Sequence, residues 1–111
     1  MAARWYAEGD LAKAIAAQER AAALLPQNAD AQVDLAQYWS ERGAPSDLQR
    51  AEVLLRDTAR RVPDRALVPF ALGTLLVRQG RVEEARAAWR AALAIDPGFE
   101  PARARLREAP Q

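Results

Sequence analysis

Residues 72–97 read LGTLLVRQGRVEEARAAWRAALAIDP, and their pattern decides the fold. The stretch holds two amphipathic segments, hinged at Gly80 and closed by Pro97. Glycine reaches the left-handed conformation that ends a helix, and proline cannot continue one. The expected unit is therefore a helical hairpin. Within it, Leu72, Gly73 and Leu76 on the first segment face Ala85, Trp89 and Ala92 on the second. Gly73 lets the second helix sit close, and Trp89 fills the space left beside it.

The same punctuation recurs outward from this stretch. Pro26, Pro63 and Pro97 each follow an Ala-rich segment, and each stands at one and the same distance after an alanine: Ala14, Ala51 and Ala85. Gly9, Gly43 and Gly80 each come one helical turn after a large apolar side chain: Trp5, Trp39 and Leu76. The step from glycine to alanine is equal in the first and third units and longer in the second. The middle hairpin therefore carries an insertion around Ala44, Pro45 and Ser46. The spacing from Pro63 to Pro97 gives a repeat of about 34 residues, and Pro26 to Pro63 is longer by the insertion.

Helices are expected up to Glu8, then over 10–25, 30–42, 46–62, 67–79, 82–95 and 101–108. Asp10 is placed to cap the second, and Ser46 or Asp47 the fourth. Pro69 fits the fifth because it falls in the first turn, where an amide has no partner to lose. The first helix is short, so the chain is expected to begin partway through a unit.

A period of this length built from two helices resembles the tetratricopeptide repeat. The third unit matches best, through Leu72-Gly73, Leu76, Ala85, Trp89 and Pro97. The second keeps Leu35, Ala36, Trp39, Ala51, Leu55 and Pro63. The first keeps Trp5, Gly9, Ala14 and Pro26 but has Gln18 where an aromatic is usual. The resemblance implies an all-α fold of antiparallel hairpins stacked as a right-handed α-solenoid. Its units are expected near 1–28, 29–65 and 66–99, in one domain spanning 1–111, with a capping helix over 100–109. No single hairpin buries its apolar face alone, and stacking supplies the core.

Composition narrows the function. Lys plus Arg is 16 and Asp plus Glu is 15, so no global field draws nucleic acid. Cysteine and histidine are both absent, which removes disulfides, thiolate chemistry, and the commonest general base and metal ligand. Ser40, Ser46, Thr58 and Thr74 have no activating base arrangement, and Glu83-Glu84 fits a helix start, where acids favour the dipole. The expectation is a non-catalytic protein with no cofactor and no metal. No apolar run approaches the roughly 20 residues that span a bilayer, so membrane insertion is not expected. The compartment is left open: cytoplasmic by default, periplasmic if the chain is a fragment. The preponderance of Arg over Lys, with abundant Ala, looks like the product of a GC-rich bacterial genome.

In such repeats the first helix of each hairpin lines the concave side, where extended peptides bind. On that face the resemblance places Tyr6, Val33, Gln37 and Ser40, then Leu67, Phe70, Thr74, Val77 and Arg78, with Asp34 beside them. The rival reading has these side chains covered by the last helix or by another subunit. Arg103, Arg105 and Arg107 read as a solvated capping face, with docking of an acidic partner as the sharper alternative. The Lys/Asn/Arg clamp by which some members hold chaperone tails is missing: Asp34, Leu67 and Ala71 stand there instead. The expected function is a protein-interaction module that holds a peptide or helix of a partner protein in its groove. The alternative is a structural segment that self-assembles through an apolar end around Trp5 and Leu11, or belongs to a larger scaffold. One such scaffold is the tetratricopeptide proteins of cytochrome c maturation, which the long middle hairpin and Trp89 resemble.

Overall fold

The computed structural model describes residues 8–108. Six helices follow one another: α1 (Glu8–Leu24), α2 (Ala29–Arg42), α3 (Asp47–Arg61), α4 (Leu67–Arg78), α5 (Val82–Ile95) and α6 (Glu100–Glu108). No strand is present among the described residues. Each helix packs on its successor, and α2 also lies against α4. Neighbour-on-neighbour packing of this kind is the mark of a helical solenoid.

The punctuation read from the sequence sits at the helix ends. α1, α3 and α5 stop at Leu24, Arg61 and Ile95, just before Pro26, Pro63 and Pro97. Gly43 and Gly80 carry φ of 70° and 76° and close α2 and α4. The two closures differ. Gly43 N–H donates to Trp39 O at 3.0 Å, a single left-handed cap. After α4, Gly80 N–H donates to Val77 O and Arg81 N–H to Leu76 O, both at 2.9 Å, which is the Schellman pairing.

Gly9 behaves otherwise. α1 runs through it without a turn, and Asp10 is a residue within the helix rather than its cap. Among the described residues, a Cβ at Gly9 would meet nothing within 4 Å. A helix tolerates an internal glycine at a cost of about 1 kcal/mol, which the alanines around it offset. The expected helix ending at Glu8 rests on residues outside those described, as does Trp5.

The core forms where small and large side chains alternate across a hairpin. Ala85, Ala88 and Ala92 make a narrow stripe on α5, and with Trp89 they are buried against α4. Gly73 provides the close approach: a Cβ there would lie 2.6 Å from Trp89 Cδ1 and 2.9 Å from Cε2. The expected Gly73–Trp89 fit is thus present. In the middle hairpin Ala36, Ala51 and Leu55 are 2%, 0% and 1% exposed. α4 carries a single charge, Arg78, because α3, α5 and α2 surround it.

Polar side chains fasten the joints. Asn28 Oδ1 accepts from Ala31 N–H at 3.0 Å and caps α2. From α2, the buried Gln32 amide donates to Ala22 O and Leu25 O, both at 2.9 Å, closing the end of α1. The inserted loop is held by Asp47, whose side chain is 2% exposed. Arg42 grips its carboxylate with Nε at 2.7 Å and Nη2 at 2.9 Å, and Ala44 N–H donates to it at 3.1 Å. The Arg42 hydrogen bonds outweigh the cost of burial and hold Asp47 below the usual carboxylate range. Ser46 occupies the cap position without a side-chain cap, so of the two expected residues Asp47 takes the structural role.

Candidate peptide groove

The pairing of α2 with α4 leaves a cleft of about 400 Å³ on the face they share. Its apolar floor is Ala36 of α2, Leu55 of α3, and Ala71 and Leu75 of α4. Short alanine side chains keep the two backbones near one another yet leave the depression unfilled. Polar groups stand along both walls: Gln37, Ser40 and Glu41 from α2, Thr74 and Arg78 from α4. α6 contributes Arg105 at the same cleft. Thr74 Oγ1 donates to Phe70 O at 3.3 Å, which satisfies the hydroxyl proton within its own helix.

Five of the residues expected from the sequence meet here: Gln37, Ser40, Phe70, Thr74 and Arg78. Ser40 is 9% exposed, so it presents little more than its edge. Val33 does not reach the cleft. It is 1% exposed in the core, because α2 is covered by α1, α3 and α4 together. Leu67 is half-buried against the core and Val77 is 41% exposed, and neither lines the cleft. Asp34 is exposed and also lies off it. Tyr6 is outside the described residues, and Leu11 packs partly buried against the core.

The last helix covers one end only. Phe99, just before α6, meets Phe70 edge to face with ring centroids 5.6 Å apart and planes at 69°. This contact docks the start of α6 on α4. Phe70 is thus half-buried beside Phe99, Thr74 is half-buried, and Gln37 and Arg78 are exposed. Glu41 and Arg105 are additions to the expected groove residues. Glu41 repeats Gln37 one helical turn later and was available from the period. Arg105 was not, because its place depends on how α6 turns back.

Charge is distributed unevenly around this site. The joint between α3 and α5 is a closed network: Arg81 reaches Glu52 at 2.7 Å and Glu84 at 2.7 Å, and Glu52 also takes Arg56 at 3.0 Å. Hydrogen bonds from Arg81 lower both carboxyls. Trp39 Nε1 donates to Glu19 Oε2 at 3.2 Å while the Arg50 guanidinium lies 4.3 Å from its ring centroid. The cleft holds no such pairing. Glu41, Arg78 and Arg105 form no ion pair among the described residues.

Stacked helical hairpins with a cleft between their first helices define a helical-repeat fold. Residues 70–99 match the family model described as the tetratricopeptide repeat. The match falls on the hairpin of α4 and α5, and the tetratricopeptide resemblance holds. Repeats of this family are protein-interaction modules, and in that general sense so is this chain. No curated protein matches the sequence. Among solved structures, one described as "Crystal structure of MamA" is similar at 20% identity and a TM-score of 0.48. That likeness covers 86% of this chain and 74% of the other. No helix among the described residues is long and apolar enough to cross a membrane.

Proposed function

We propose that the chain is a non-catalytic interaction module that holds a peptide or helix segment of a partner protein in the α2–α4 cleft. The observation that carries the reading is the cleft itself, a depression with an alanine- and leucine-lined floor and polar walls. Such a surface takes apolar side chains into the floor and satisfies a peptide backbone along the rim. Its walls belong to helices packed into the core, so the site is preformed, and little ordering free energy opposes binding.

The test is obstruction. Peptides selected from a random library against the full chain are titrated into Thr74→Trp, which places an indole in the cleft. Val53→Arg, at a residue 63% exposed on α3, serves as the control. Binding is expected to fall at least tenfold with Thr74→Trp and to be unchanged with Val53→Arg. Equal binding to both variants would remove the cleft as the site. A circular dichroism melt of each variant separates obstruction from unfolding.

A further inference from the structure

We infer that the segment held in this cleft is acidic, with a carboxylate seated between Arg78 of α4 and Arg105 of α6. The inference rests on the cleft being the binding site and adds the chemistry of its ligand. Its basis is a contrast within the molecule. Arg42, Arg50, Arg56, Arg65, Arg81 and Arg107 all have a carboxylate within ion-pair distance, whereas Arg20, Arg90 and Arg103 have none among the described residues but do not line the cleft. Arg78 and Arg105 come from different helices, line one cleft, and have no such partner among the described residues.

Three charged groups face the cleft: these two arginines and Glu41. The balance there is one positive charge, on a chain whose overall formal charge is only +1. A guanidinium presents a planar fork that fits a carboxylate with two parallel hydrogen bonds, so two forks at one cleft select for acids. The floor of Ala36, Leu55, Ala71 and Leu75 asks for an apolar neighbour beside the acid. The ligand class is therefore a peptide with Asp or Glu close to a small or branched apolar side chain. Because both arginines are partly in water, the contribution is modest and depends on salt.

The experiment is a random dodecapeptide display selection against the full chain and against the Arg78→Gln/Arg105→Gln variant. Selected sequences are read for composition relative to the unselected library. The expected result is enrichment of Asp and Glu with the native chain and its loss with the double variant. A labelled peptide from the native selection should bind the double variant roughly tenfold more weakly, as expected for two solvent-facing ion pairs. Its affinity for the native chain should also fall between low and high salt. Binders without Asp/Glu enrichment, still blocked by Thr74→Trp, would overturn the acidic ligand and leave the cleft standing. Enrichment that persists unchanged in the double variant would equally overturn the role of these arginines. Binders indifferent to Thr74→Trp, or no binders at all, would overturn the cleft and the inference with it.

Discussion

Gly73→Ala is a substitution that helix propensity alone would favour. An alanine in a helix interior is better than glycine by about 1 kcal/mol, and Gly73 lies inside α4 with no positive φ. Packing opposes it. The new Cβ would sit 2.6 Å from Trp89 Cδ1 and 2.9 Å from Cε2, closer than carbon atoms approach one another. Trp89 is 4% exposed, and its ring has no flexible end to swing aside. Either α5 moves away from α4 or the indole leaves its rotamer. Overpacking of this kind costs roughly 1–3 kcal/mol, and occasionally more. With several ring atoms in the way, the upper part of that range applies, and subtracting the propensity gain leaves about 2 kcal/mol. Unfolding entropy of about 2.1 cal/mol/K per residue converts this to a fall in Tm of about 9 °C for a chain of 111 residues. Thermal melts by circular dichroism measure it, with Gly9→Ala as the control. Gly9 also lies in a helix, but none of the described residues stands within 4 Å of its added Cβ, so that variant should melt at or slightly above the native chain. A Gly73→Ala protein melting no lower than the native chain would refute the close-packing argument.

Other outcomes follow from the polar joints. Asp47 has its carboxyl held down in the folded chain, mainly by the Arg42 hydrogen bonds. Below its unfolded value the unfolded state binds more protons than the folded one, so stability from this pair is present above about pH 4. It is lost as the pH falls through the lower folded value. Melting temperature should therefore be flat from pH 7 to about pH 5 and drop below that, and Asp47→Asn should shrink the drop while lowering the plateau. Gln32→Ala should cost about 1–2 kcal/mol in urea unfolding, since it strips the donors from the Ala22 and Leu25 carbonyls. Phe70→Ala should accelerate amide exchange in α6 far more than in α2, because the Phe99 contact docks that helix.

The sequence was most legible where chain geometry is local. A proline after a helical segment and a glycine at a left-handed cap act through their own backbone, so Pro26, Pro63, Pro97, Gly43 and Gly80 marked ends directly. The Gly73–Trp89 fit was legible for a related reason: a hairpin brings one defined face of each helix together. Gly9 reads as a turn from the sequence because spacing cannot tell a glycine at positive φ from one within a helix. Val33 falls on the groove face by period, but the period does not say how many neighbours cover that face; three helices cover α2. Arg105 and Gln32 depend on where another helix ends or returns. No local pattern encodes that, and these residues account for much of what closes the joints and edges the cleft.

The central claim is that the α2–α4 cleft is where a partner segment lies. Backbone amide shifts of the isotope-labelled chain, followed by NMR while a display-selected peptide is titrated in, test it most directly. The largest changes should fall on Gln37, Ser40, Glu41, Thr74, Arg78 and Arg105, with little at Gln49, Val53 and Arg60 on the opposite exposure of α3. Changes centred on α3, or on Leu24, Leu25 and Val62 at the far turn, would contradict the account.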